Sequence, residues 1–413
     1  MLGFILADLR RHRWGVAAIA LLVALATALG VAVTLQERAL RLGSARAADA
    51  FDLVIGAPGS ETQLVLSSVF LQAAPLPLMP GRVLAGLLQD PRVAWAAPIG
   101  FGDEIDGLPI VGTSAPLLEG LGGLSDGRGF GRLNEAVIGA AVPLRLGDRF
   151  HPMHGHAFGI GLVHGAVTYD VVGRMKPTGT PWDRAVLVPI EAVWRIHHAE
   201  AAGAPAGHGA GAPEKGEHGE ALDAPIDPAQ LLSPEAPGLP AILVKPRSVA
   251  DAYKLRRDYR SDSTLAVFPA EVLTRLYGTL GDVRLVLSAI ATGAQALVGA
   301  AILIAILIHV LQRRRQIGAL RAFGAARLAI FSIVWLEVVL VLGAGLLAGV
   351  GLGWAGARAL SSQLGRQTGV PMPVGFTPED VVPLALLLLA GAVVAVVPAV
   401  LAYRQSPAQA LRG

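Results

Sequence analysis

The chain contains no cysteine. That excludes disulfides, thiolate catalysis and cysteine-ligated metal, and it leaves the compartment open. Charge is also sparse: Asp, Glu, Lys and Arg make up 16% of the 413 residues, against about a quarter in a soluble domain. Lysine occurs only at positions 176, 215, 245 and 254. No Gly-Lys pair exists, so no Walker A loop can be formed, because that loop needs its lysine and backbone amides to hold phosphates. No H-E-x-x-H is present, and no catalytic constellation stands out. The net charge of +3 comes mostly from arginines that flank apolar runs. A nucleic-acid binder clusters its charge on a folded domain instead, so no nucleic-acid partner is expected.

What the chain has in quantity is apolar sequence, at 53% of residues with a mean hydropathy of +0.55. Four runs are long enough to span a bilayer core of ~30 Å, which takes about 20 apolar residues as a helix. They are residues 14–33, 285–311 (interrupted by Gln295 and His309), 330–354 (with one acid, Glu337) and 381–403. Arg10, Arg11 and Arg13 precede the first. Arg313, Arg314, Arg315, Arg321 and Arg327 lie between the second and third, and Arg404 and Arg412 follow the fourth. The positive-inside rule then places both termini (1–13 and 404–413) and the loop 312–329 in the cytoplasm. Residues 34–284 and the loop 355–380 fall outside. A cleaved signal peptide is the rival reading of the first run, through the small residues of "SARAADA" (Ser44 to Ala50). The run is longer than an h-region of about 7–15 residues and the site lies well beyond its end, which favours a retained anchor.

The external portion reads as mixed α/β. "VTYDVVG" (Val167 to Gly173), "RAVLVPI" (Arg184 to Ile190) and "AILVK" (Ala241 to Lys245) are short β-rich runs bounded by Gly and Pro. "VADAYKLRRDY" (Val249 to Tyr259) and the stretch from Pro269 to Leu287 have helical patterning, the latter running into the second span. Residues 197–230 are rich in Ala, Gly, Pro and His and cannot bury a core. The expected fold class is therefore a membrane protein: four transmembrane helices plus a large mixed α/β extracytoplasmic domain inserted between helices 1 and 2.

The loop "RRRQIGALRAFGAARLAIF" (Arg313 to Phe331) carries five arginines, no acid and a partial apolar helical face of Ile317, Leu320, Phe323, Leu328 and Phe331. A topogenic turn and a docking surface are both consistent with that pattern. The loop resembles the cytoplasmic loop of MacB/FtsX/LolC-type ABC transporter permeases, which reads approximately R-x-x-E-I-G-[IL]-L-R-A-[LF]-G-A-[ST]. Arg313, Ile317, Gly318, Leu320, Arg321, Ala322, Phe323, Gly324 and Ala325 match in register. Gln316 stands where the family usually has Glu, and Ala326 where a hydroxyl residue is common. The tail "YRQSPAQALRG" (Tyr403 to Gly413), "FDLVIGAPGS" (Phe51 to Ser60) and "VVGRMKPTGTPWDRAVLVPIEAV" (Val171 to Val193) are also similar to the family.

The resemblance implies a non-catalytic permease in the bacterial cytoplasmic membrane, with ATP bound by a separate ATP-binding subunit. It implies a coupling helix in which Ile317, Leu320 and Phe323 make the apolar contact and Arg321 the charged one. It further implies a second permease copy and a substrate handled outside the membrane. Gln316 removes the negative charge that the family's Glu supplies at that position.

Other readings stay open: an FtsX-like regulator of an extracytoplasmic enzyme with a periplasmic partner, a metal-linked transport component, or a receptor with no energy coupling. Gly345, Gly349 and Gly353 recur every fourth residue in the third span, spacing that lets helices pack closely in lipid, within or between protomers. Glu337 is expected to point into the bundle, because an acid facing lipid is costly. Eight of the ten histidines lie between positions 151 and 218. His151, His154, His156, His197, His198, His208 and His218 are candidate ligands for zinc or copper, on the chemistry of neutral imidazole alone. Their spacing fits no closed structural site.

Overall fold

A computed structural model describes residues 2–47, 49–72, 74–154, 167–203, 222–276 and 324–404, together with 278, 289, 293, 296, 299, 300 and 303. By backbone contacts the chain divides into two compact units. One comprises Met1–Leu40, Leu280–Gln363 and Met372–Gly413. The other comprises Arg41–Thr279 and Leu364–Pro371.

The first unit is helical. Helix α1 (Leu2–Arg11) leads into α2 (Arg13–Arg46). With 34 residues, α2 is about 51 Å long at 1.5 Å per residue, well beyond the ~30 Å hydrocarbon core. The helix therefore continues past Val33, where the apolar run ends. The helix after the loop runs Arg327–Thr368 over 42 residues, so it too outruns the bilayer and occupies much of the segment read from sequence as the external loop 355–380. The sequence carries the stop signal for this: Gly369, then Pro371, just after the last helical residue. The last apolar run is two helices, Val381–Val394 and Val396–Arg404. Pro398 has no N–H to offer the carbonyl of Val394, and the helix breaks at Ala395 for that reason. Among the described residues three helices are long and apolar enough to cross a membrane. The run 285–311 lies mostly outside them.

The second unit is built on one mixed sheet. In chain order its strands are β1 (Leu53–Gly56), β2 (Val93–Ile105), β3 (Leu108–Thr113), β4 (Leu124–Gly127), β5 (Glu135–Ile138), β6 (Arg149–Phe150), β7 (Met153–His154), β8 (Tyr169–Met175), β9 (Val186–Pro189), β10 (Ala241–Pro246) and β11 (Leu265–Val267). The spatial order is β11-β1-β10-β2-β3-β9-β5-β8-β4, with β6 on β8 and β7 on β2. Two pairings are parallel, β3 with β9 and β5 with β8.

Both faces of the sheet are buried, because side chains alternate across a strand. Ile55, Ala96, Ile138, Val186, Val188, Ile242 and Val244 point to one face. Val54, Ala97, Val137, Leu187, Ala241 and Leu243 point to the other. Helix α4 (Arg82–Gln89) and helix α6 (Ile190–Gly203) cover the first face through Leu84, Leu87, Ala192 and Ile196. Helix α3 (Glu61–Phe70) and helix α5 (Ala115–Gly120) cover the second through Leu64, Val65, Val69 and Leu117. Helix α7 (Val249–Asp258) is started by Ser248, whose hydroxyl accepts from the Asp251 amide, and adds Leu255 to the first face. The helices after α7 are α8 (Arg327–Thr368), α9 (Val381–Val394) and α10 (Val396–Arg404). Residues 269–276 are also helical, while 279–288, through which a helix into the second span would pass, lie outside the described residues.

Candidate functional site

Most of the singled-out loop lies outside the described residues: Arg313, Ile317, Gly318, Leu320, Arg321, Ala322 and Phe323 all fall there. Gly324 and Ala325 do not. Gly324 has φ 93°, left-handed backbone that favours glycine, and α8 begins three residues later. Ala325 packs against the cluster of Val23, Ile330, Val334, Val338, Ala395, Ala399 and Ala402. The end of the loop is therefore seated on the same apolar cluster that joins α2, α8 and α10.

The glycine stripe faces α2. A methyl group placed on Gly345 would lie 2.7 Å from Val23 Cβ and 2.8 Å from the Ala20 carbonyl oxygen. On Gly349 it would lie 2.6 Å from both the Ala24 carbonyl oxygen and Thr27 Cβ, and on Gly353 2.7 Å from the Ala28 carbonyl oxygen. Contacts under 3 Å to backbone leave room for hydrogen only. A methyl group on Gly343 or Gly351 would meet nothing within 4 Å. The stripe is thus a contact within one chain. Trp335 holds the next helix, its indole N–H donating to the Ala392 carbonyl on α9 at 2.9 Å. Glu337 is buried on α8.

Farther along the helix, Ser361 donates to Gln36 at 3.0 Å. Arg38 then forms a bidentate pair with Asp380, at 2.8 and 2.7 Å, and also donates to the Gly375 carbonyl at 3.3 Å. Both side chains are mostly buried, at 17% and 12% exposed. Asp380 is itself fixed by the Thr377 amide at 2.7 Å. In the sequence Asp380 reads only as a charge that bears on topology, and nothing in local patterning links it to Arg38, 342 positions away.

In the second unit the loop Thr178–Arg184 is closed by Asp183. Its carboxylate accepts from the Thr178 amide (2.7 Å), the Thr178 hydroxyl (2.7 Å) and the Gly179 amide (2.8 Å). Trp182 is fully buried beside it. This loop receives residues 364–371. Arg184 donates to the Arg366 carbonyl at 2.5 Å. Gly369, at φ 73°, ends α8 by donating to the Gly365 carbonyl at 2.9 Å, a left-handed helix stop. A methyl group on Gly369 would lie 3.2 Å from Pro181 Cα and from the Thr180 carbonyl oxygen.

A second anchored turn lies between β4 and β5. Glu135 accepts from both terminal nitrogens of Arg128 (2.7 and 2.5 Å) and from the Gly131 and Arg132 amides. The Arg128 bond first, then the two amides, hold its carboxyl down at about 2 against the desolvation of burial.

The candidate metal ligands lie only partly within the described residues. Among the described residues no three His, Asp or Glu groups gather in a way that could hold a metal ion. His151 has its Nδ1 2.7 Å from the Val167 carbonyl oxygen. His154 ends β7, and His197 and His198 lie on α6. His156, His208 and His218 lie outside the described residues. The sequence does hold one G-x-S-x-G match, "GLSDG" (Gly123 to Gly127). Ser125 sits on β4 paired with β8, and its hydroxyl donates to the Arg174 and Met175 carbonyls at 3.3 and 3.2 Å. No strand-to-helix elbow presents it, so it lacks the setting of a nucleophile.

Residues 288–408 match the family of the FtsX-like permease C-terminal domain. This stretch is similar to FtsX-like permeases, as the loop residues implied. No curated protein sequence matches the chain. Among solved structures, the periplasmic region of MacB from Actinobacillus actinomycetemcomitans is similar at 9% identity and a TM-score of 0.32, over 56% of this chain and 95% of that one. The extracellular domain of the noncanonical ABC-type transporter YknZ from Gram-positive bacteria is similar at 11% identity and a TM-score of 0.27, over 52% of this chain and 98% of that one.

Proposed function

We propose that this chain is the membrane permease subunit of an ABC system, with ATP bound and hydrolysed by a separate subunit. The observation that supports it most directly is the FtsX-like permease match over 288–408, which includes the loop with Arg313, Ile317, Gly318, Leu320, Arg321, Ala322, Phe323, Gly324 and Ala325. On this reading the loop docks on the ATP-binding subunit through Ile317, Leu320 and Phe323, with Arg321 as the charged contact. Closure of the ATP-binding subunits moves the loop. The helices that outrun the bilayer carry that motion to the outer unit, where substrate is handled outside the membrane. Absence of a Gly-Lys pair from the sequence supports placing P-loop chemistry in a partner. The test is co-purification from the native host in mild detergent, with ATP hydrolysis assayed for wild type and Arg321→Glu. The expected result is an ATP-binding subunit with the wild type and not with the variant. Failure to recover one in several mild detergents overturns the reading.

A further inference from the structure

Residues 364–380 leave the third span and are fastened at two places. The first fastening lies within the outer unit. The last carbonyls of a helix have no intrahelical donor, and Arg184 supplies one to Arg366. Its positive charge also suits the negative end of the helix dipole. Gly369 approaches Pro181 and Thr180 closely enough that a methyl group there would make its neighbours give by a few tenths of an ångström, and Pro371 packs against Gly179 at ordinary van der Waals distance. Val370 between them is buried. The receiving loop is held rigid by the three hydrogen bonds to Asp183. The second fastening lies within the helical unit: the Arg38 fork on Asp380, its bond to the Gly375 carbonyl, and the Thr377–Asp380 capping box. Only Met372, Pro373 and Val374 separate the two, and Pro373 stiffens that link by fixing φ.

We infer that residues 364–380 form a strap through which the third span acts directly on the outer domain, with the Thr178–Arg184 loop as its socket and Arg38 as its second anchor. The fastenings themselves do not depend on the permease reading; their use in transmitting ATP-driven motion rests on it. A turn joining two spans could simply have been solvated. This one uses an arginine at each end and a left-handed glycine against the socket.

The test uses the full chain in lipid nanodiscs and amide exchange read by mass spectrometry. Arg184→Ala and Gly369→Ala are expected to speed exchange in peptides covering 364–371 by roughly tenfold, with the 178–184 peptides following, because protection reports local opening. Arg184→Lys, which keeps a donor, is expected to restore most of the protection. If 364–371 exchanges at the wild-type rate in both Ala variants, the strap is refuted. A second arm adds the co-purified ATP-binding subunit and a non-hydrolysable ATP analogue. The strap predicts an analogue-dependent change of exchange at 178–184 that disappears in Arg184→Ala and in Arg38→Ala. Persistence of that change in both variants overturns the strap and leaves the permease reading standing. If no ATP-binding subunit is recovered, the permease reading fails and the first arm alone decides the strap.

Discussion

Replacing Gly349 with isoleucine, set against the same replacement at Gly351, isolates what the glycine stripe contributes. The two positions sit in the same helix two residues apart, so the change in helix propensity is the same at both, a gain of a few tenths of a kcal/mol over glycine. Only the surroundings differ. At Gly349 the first carbon alone would lie 2.6 Å from a backbone oxygen and 3.1 Å from a backbone Cα, both of Ala24, and neither can rotate away. At Gly351 nothing lies within 4 Å. Overpacking by a methylene or two costs about 1–3 kcal/mol where neighbours can adjust, and a β-branched side chain against a carbonyl has little to adjust. The expected difference is at least about 2 kcal/mol in favour of Gly351→Ile. The assay is the unfolding midpoint of the purified full chain in detergent, followed by size-exclusion recovery after heating. Equal midpoints for the two variants would refute the close α2–α8 contact. A cysteine-free background also lets cysteines placed on α2 and α8 report the separation directly, with cross-linking expected to fall in Gly349→Ile only.

Two further outcomes follow from single groups. The Glu135 carboxyl titrates below its unfolded value of 4.5, at about 2, so its stabilisation is present above about pH 4.5 and is lost as pH falls toward 2. Because Arg128 is 60% exposed, solvent screens the pair and about 1 kcal/mol is the reasonable size. Protection of the Gly131 and Arg132 amides should decline over that window in wild type and be low and pH-independent in Glu135→Gln; identical profiles would remove the assignment. Pro398→Ala returns an N–H donor to the Val394 carbonyl and should join α9 and α10 into one helix, read as new amide protection at position 398. An unprotected amide at position 398 of that variant would show that the break has another cause.

How much of this was legible depended on the range of the interaction. Periodicity and length revealed the apolar runs, and the β-rich stretches at 167–173, 184–190 and 241–245 are β8, β9 and β10 within two or three residues. Those signals are local. The helix ends were less visible because hydropathy stops at the bilayer surface while hydrogen bonding does not. Nothing apolar requires α2 to continue past Val33 or α8 past Trp354, yet both remain helical. Gly369 followed by Pro371 is a readable stop signal, and the charge count around it points instead to a solvated loop. The pairs Arg38–Asp380 and Arg184–Arg366 join positions more than 180 residues apart, and no one-dimensional pattern carries that information. The histidines are a different case. A composition bias suggested ligands, and among the candidates the described positions fall on β7, on α6 and at His151, while His156, His208 and His218 lie outside the described residues.

The glycine stripe and the socket have a mechanical property in common. An interface of ordinary side chains can absorb a displacement by changing rotamers, at a cost of order 0.5–1.5 kcal/mol for each strained χ. Gly345, Gly349 and Gly353 have no rotamers, and their partners across the contact are mostly backbone atoms and Cβ carbons. Such an interface cannot yield gradually; α8 either moves with α2 or separates from it. The socket at Thr178–Arg184 has the same character, because Asp183 locks the loop through backbone amides and Gly369 meets it through backbone. Close-packed contacts of this kind transmit strain instead of dissipating it. The stripe on α8 and the socket that receives Gly369 are therefore each stiff within their own unit, and the strap proposed above is the stretch of chain between them.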